Sequence, residues 1–197
     1  MIKSIYNDLC KKYKENEVQI VCPSGAACSV YDVERGPGKA KTVHHYFGIG
    51  LADKSYDSII ENTKETTCGK IQQLKVLIID EISMMSARIF NLVSKLAMHC
   101  RGINQPFGGM QVIGVGDFYQ LPPVADYIDP GQYAFLSPLF KPTFKHNVLL
   151  HTVYRQHQDD PELLDALNCI RVGNCDLKTA EFLKTLNREL PNKENVT

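Results

Sequence analysis

The sequence predicts an α/β domain built on a parallel β-sheet, and three features carry that prediction. Val76–Ile79 is an unbroken apolar run, the pattern of a strand buried on both faces of a sheet. Residues 111–115 repeat that design and end at Gly116-Asp117. Between the two runs, Ile89, Leu92, Val93, Leu96 and Ala97 recur at i, i+3, i+4, i+7 and i+8, one stripe of a helix. Ser86 is placed to cap that helix and Gly102 to stop it. Strand, helix and strand make a βαβ unit, with acidic residues at the strand tips suited to a metal and a phosphate.

The remaining elements follow in chain order. Ile2, Ile5, Tyr6, Leu9 and Tyr13 share one face of a helix, and polar residues 14–17 lead into Val18–Cys22, a second buried strand. Residues 30–41 carry Gly36, Pro37 and Gly38 among mixed charges and read as a loop. Residues 53–73 are polar, with a short helix at Tyr56–Glu61. Residues 102–109 form a turn-rich link, and the proline-bearing stretch 121–142 reads as irregular. Residues 147–153 (NVLLHTV) are a fourth strand candidate, with Arg155 just beyond. Asp160-Pro161 then opens a helix with Leu163, Leu164, Leu167 and Ile170 on one face. Leu177, Ala180, Leu183, Leu186 and Leu190 mark a last one.

A chain of 197 residues can bury one good core. Its formal net charge of zero gives no global attraction to nucleic acid and leaves room only for a local basic groove. No apolar stretch approaches the roughly 20 residues that span a bilayer, and MIKSIYNDLC lacks the apolar core of a signal peptide. The seven cysteines are an odd number, form no CxxC and match no zinc pattern, so free thiols in a reducing compartment are expected.

Asp80 and Glu81 follow the first buried run, where open α/β sheets place their ligands. An aspartate there suits magnesium beside a nucleotide's phosphates, and a neighbouring glutamate suits the orientation or deprotonation of water. Asp117 and Gln120 stand at the next strand end, where an amide could bond a terminal phosphate. Arg155 could stabilise charge developing on that phosphate. Pro23, Ser24 and Gly25 follow a strand tip with free backbone amides that could approach a DNA backbone. Thr42 and His44 open a hydroxyl, imidazole and aromatic cluster that could bond phosphates and stack bases. Each also has an ordinary reading as a solvated turn, a loop hydrogen bond, a surface arginine or plain packing. GxxxxGK[ST] is absent: Gly38-Lys39 lacks the first glycine and the hydroxyl residue, as does Gly69-Lys70.

Taken in order, PSGAAC, TVHHYFGIG, LIIDEISMM, PFGGMQVIGVGDFYQLPPV, VYRQ and LNCIRVGN resemble the petite-integration-frequency family of 5′-to-3′ DNA helicases of superfamily 1. The resemblance runs to about residue 174, and PFGGMQVIGVGDFYQLPPV is its most specific part. It implies a RecA-like P-loop NTPase motor domain that uses ATP and magnesium to track along single-stranded DNA and open duplex junctions. It also implies roles in DNA repair, recombination and telomere maintenance. Asp80 would be the magnesium-associated acid, Glu81 the base, Asp117 and Gln120 the motif sensing the γ-phosphate, and Arg155 a γ-phosphate contact. Pro23, Ser24, Gly25, Thr42 and His44 would touch the single strand.

The expected organisation is a partial motor domain over 1–155, without its first strand and phosphate loop. C-terminal helices over 156–197 would lead toward a second RecA-like domain. Residues 29–41 form a longer link between the two DNA-contacting motifs than the family usually has. The protein is expected to be intracellular, in the nucleus or mitochondrion if eukaryotic, and these 197 residues alone to be inactive. A non-catalytic module binding single-stranded DNA or protein, or another P-loop ATPase, are the alternatives.

Overall fold

The computed structural model describes residues 1–31, 40–152 and 161–187. Its sheet consists of β1 (Val18–Cys22), β2 (Lys41–Thr42), β3 (Val76–Ile79) and β4 (Gln111–Gly114), all parallel, in the order β2-β1-β3-β4. β3 lies inside the sheet, with Val18 opposite Val76 and Val76 opposite Gln111. All four of its residues are buried because both faces of the sheet are covered. Val76 and Ile78 face one apolar cluster with Val18 and Ile20, closed by Ile2 and Tyr6 of α1 (Ile2–Cys10). Leu77 and Ile79 face the larger cluster on the opposite side.

That larger cluster is roofed by helices strung along the chain. After the short α2 (Gly25–Ser29) come α3 (Val43–Phe47), α4 (Tyr56–Glu61), α5 (Glu65–Gln73) and the long α6 (Ala87–Arg101). The α6 boundaries are those the sequence predicts. Ser86 Oγ accepts the Ile89 amide at 3.1 Å, and Gly102 ends the helix in the left-handed conformation. Leu92, Val93, Leu96 and Ala97 are fully buried. Phe90 lies edge-on to Phe107, with ring centroids 5.0 Å apart, and tilted against Phe140 of α7 (Phe140–Thr143) at 5.6 Å. Burial of such a ring contributes about 1.5–3 kcal/mol. Arg101 donates to the carbonyls of Ile71, Gln72, Leu74 and Gly108 at 2.7–3.2 Å, tying α5, α6 and the turn at Pro106–Gly109 together.

The chain divides into two units, 1–147 and 148–197. In the second, α8 (Pro161–Arg171) and α9 (Leu177–Thr185) pack on each other, and Asp176 caps α9 by accepting the Thr179 amide at 2.7 Å. Leu190 lies outside the described residues, as does Asp160.

The structure corrects three expectations. Residues 147–152 form no strand, and Val148, Leu149 and Leu150 are exposed. An apolar run becomes a strand only when a neighbour takes up its backbone groups, and none of the described strands does. The fourth strand is β2 instead, at the end of the stretch read as a loop. Cys68 and Cys100 are joined as a disulfide rather than held as free thiols, because α5 and α6 lie side by side with these Cα atoms 5.0 Å apart. Helices α3 and α5, unrecognised in the sequence, complete the roof.

Candidate nucleotide and nucleic-acid site

Nine of the ten candidate residues lie on segments leaving the carboxyl ends of β1 to β4, which the parallel register brings to one edge of the sheet. The tenth, Arg155, is outside the described residues. The backbone locks the central tips together. The Asp80 amide donates to Val21 O at 2.9 Å, the Val115 amide to Ile79 O at 2.8 Å, and the Ile82 amide to Val115 O at 3.0 Å. Gly116 completes the lock: a Cβ there would stand 3.0 Å from Ile82 N and 3.1 Å from Ser83 N. Glycine therefore lets the turn after β4 lie against the turn after β3 without displacing it.

Both oxygens of Asp80 already accept. Oδ1 takes the Glu81 amide at 2.9 Å, and Oδ2 takes the Tyr31 hydroxyl at 2.5 Å. Burial, reinforced by that bond and by the carboxylate's charge, pushes the Tyr31 phenol well above its ordinary range, so it remains a donor. Beneath it, burial next to Cys28 pushes the Cys22 thiol up and keeps it protonated. Glu81 has φ +52 and ψ 42, a left-handed backbone that a glutamate seldom adopts and that surrounding structure must impose. Asp117 turns its own segment: Oδ1 accepts the Tyr119 amide at 3.1 Å, and Oδ2 accepts the Gln120 side-chain amide at 3.0 Å. Gln120 itself is exposed.

The other five residues occupy the tips of β1 and β2. Ser24 caps α2 through the Ala27 amide, which Gly25 precedes as the helix's first residue, and Thr42 caps α3 through the His45 amide. Pro23, Ser24 and His44 line a cleft of about 280 Å³, floored by Met84, Met85 and Ile89 and walled by Pro123 and Val124. Burial lowers the His44 pKa, which favours a neutral imidazole. Asp80, Glu81, Asp117 and Gln120 lie outside that cleft, so the carboxylates and the strand-binding candidates form separate parts of one edge.

Two features of this region escaped sequence reasoning. Arg88 also lines the cleft, and its Nη2 donates to Ala52 O at 3.0 Å and Lys54 O at 2.7 Å. Its guanidinium lies 5.1 Å from the Tyr56 ring centroid, so it holds residues 52–54 as one lip. Opposite, the Ser86 hydroxyl donates to the buried Asp129, and the Ala87 amide to Gln132 O at 2.7 Å, which anchors the proline-bearing segment to the start of α6. A serine read as an N-cap gave half of that signal. Among the described residues, no cluster of three or more His, Cys, Asp or Glu side chains could enclose a metal unaided, and no helix is long and apolar enough to cross a membrane.

Comparison with known proteins agrees with the geometry. The family model described as PIF1-like helicase matches residues 1–179. ATP-dependent DNA helicase PIF1 of Saccharomyces cerevisiae is 36% identical over 188 residues, covering 92% of this chain and 21% of the relative. ATP-dependent DNA helicase RRM3 of the same species is 31% identical, covering 96% and 26%. Among solved structures, Pif1 helicase from Candida albicans superposes with a TM-score of 0.86 at 33% identity, over 99% of this chain and 42% of that one. Pif1 helicase from Bacteroides, crystallised with ADP-AlF3 and single-stranded DNA, gives 0.78 at 27%, over 98% and 45%. The chain therefore spans about a fifth to a quarter of these curated relatives.

Proposed function

The chain belongs to the PIF1-like helicase family, and from that premise we propose that it is part of the first RecA-like motor domain of an ATP-dependent 5′-to-3′ DNA helicase. Its substrates would be ATP, single-stranded DNA and duplex junctions, in DNA repair, recombination and telomere maintenance. The nucleus or mitochondrion would be its place in a eukaryote. The observation that carries the reading is the gathering of nine candidate residues at one sheet edge, carboxylates on the tips of β3 and β4 and strand-binding groups on those of β1 and β2. Relatives described as bound to ADP-AlF3 and single-stranded DNA, and as unwinding forked duplex DNA, support a nucleotide and DNA as its ligands.

Asp80 fits a magnesium ion. It offers hard oxygens whose hydrogen bonds leave lone pairs free, and magnesium takes one or two carboxylates and completes its shell with phosphate and water. Bound there, the ion would neutralise charge on the β- and γ-phosphates. Glu81, next to Asp80 at the tip of β3, would orient the attacking water and accept its proton. Gln120 would exchange its bond to Asp117 for one to the γ-phosphate or its water, so that Asp117 holds the sensor in waiting. Arg155 would stabilise charge growing on the phosphoryl group. On the other side, the cleft beside Pro23 and His44 would take part of the single strand, with residues 156–197 leading toward a second RecA-like domain.

Anisotropy of a fluorescein-labelled oligothymidylate titrated with the 197-residue chain tests the strand-binding half. Saturable binding that weakens with salt and in His44→Ala is expected. Binding unaffected by substitution along the cleft would assign the strand elsewhere.

A further inference from the structure

Tyr31 stands where the two halves of the proposed site meet. It lies directly beyond α2, the helix that begins at Ser24 and Gly25, and its amide closes that helix on Cys28 O at 2.9 Å. Three anchors fix it. Ser24 caps the far end of the same short helix at 3.2 Å. The Tyr31 ring packs on the apolar cluster that includes Ile20, Cys22 and Ile78. Its hydroxyl donates to Asp80 Oδ2 at 2.5 Å, the length of a strong bond to an ionised acceptor. From Asp80 the contacts continue, since Oδ1 accepts the Glu81 amide at 2.9 Å.

We propose that Tyr31 is a positioning residue for Asp80, tying that carboxylate to the turn that receives single-stranded DNA. The inference rests on the reading of Pro23, Ser24 and Gly25 as strand contacts and adds a route from them to the hydrolytic acids. Helix α2 has only five residues and both its ends are pinned, so it has little room to absorb a displacement internally. Movement of Ser24 and Gly25 onto a phosphate backbone is passed to the Tyr31 ring, and through its hydroxyl to Asp80 and the Glu81 amide. Tyr31 touches no reacting atom. It sets the orientation of a group that does.

The test uses the ¹⁵N-labelled 197-residue chain and an oligothymidylate, read by amide chemical shifts at Ser24, Gly25 and Glu81. In the native chain all three titrate with one midpoint. In Tyr31→Phe, which keeps the ring and removes only the hydroxyl, Ser24 and Gly25 titrate with the midpoint unchanged and the Glu81 response is lost. A merely structural tyrosine would move all three or none. Should Tyr31→Phe fail to fold, ring ¹³C labelling of the native chain replaces it, and the Tyr31 signal must shift in step with Glu81. A silent Glu81 in the native chain, a Glu81 response that survives in Tyr31→Phe, or a static Tyr31 ring each overturns the proposal. No response at Ser24 and Gly25 removes the underlying strand-binding reading instead.

Discussion

Replacing Gly108 by alanine should destabilise the protein far more than replacing Gly102, although both have nearly the same backbone. Gly102 has φ +65 and Gly108 φ +60, so in either case a Cβ forces an alanine into the left-handed region, at about 1–2 kcal/mol. At Gly102 nothing lies within 4 Å of the added atom, and that strain is the whole cost. At Gly108 the atom would stand 2.5 Å from Arg101 Cδ and 2.7 Å from Ala97 O. The arginine stem cannot swing aside without giving up its bonds to Gly108 O and Leu74 O, both 2.7 Å, and the carbonyl belongs to the body of α6. Overpacking of this kind adds about 1–3 kcal/mol. Gly102→Ala should therefore lose about 1–2 kcal/mol and Gly108→Ala about 2–5 kcal/mol. Urea unfolding followed by far-ultraviolet circular dichroism measures both, since the chain has no tryptophan to report by fluorescence. Equal losses in the two variants would show that the close approach of the 106–109 turn to α6 is not part of the folded state.

Arg88→Met should free the lip at residues 52–54 and weaken oligothymidylate binding in the anisotropy assay, while Arg88→Lys, with one donor group in place of the fork, should rescue it only partly. Unchanged affinity in Arg88→Met would detach that lip from the DNA. Because burial lowers the His44 pKa, the unfolded chain binds the extra proton more readily. Stability should thus be full above the ordinary imidazole value of 6.5 and decline as the pH falls below it. His44→Gln should flatten that part of the thermal-melting profile, and an unaltered slope would place the acid sensitivity on other groups. The 197 residues contain no GxxxxGK[ST] loop to cradle a triphosphate, so they should show no saturable, magnesium-dependent ATP hydrolysis, which a phosphate-release assay can detect. In a longer protein that carries this segment together with such a loop, Glu81→Gln should keep ATP binding and abolish turnover, and near-normal turnover would remove Glu81 from its role.

The parts of the fold legible in the sequence are those whose cause is local. Val76–Ile79 is apolar throughout because β3 is covered on both faces, and α6 announces itself by its stripe, its serine cap and its terminal glycine. β2 is two residues long and exists only because β1 offers an edge, so no propensity marks it. α5 buries Ile71 alone, too little for a stripe to show in its sequence. NVLLHTV errs the other way, with strand composition and no described partner. The same rule governs the site. Asp80 and Glu81 were readable because four buried residues precede them. The pairings Tyr31 with Asp80, Arg88 with Ala52 and Lys54, and Ser86 with Asp129 join residues remote in sequence through side chains, where spacing carries no information.

The all-parallel register also governs when the site comes into being. No hairpin can supply any of these pairings, because each strand must wait for a crossover segment to return the chain alongside its neighbour. β3 in particular must find β1 across most of the first half of the chain. Such distant closures are slow steps, and until they finish the aliphatic strands lie open to other chains. Recovery of this protein from dilute denaturant should therefore depend steeply on concentration, with cool, dilute refolding favouring the monomer over the aggregate.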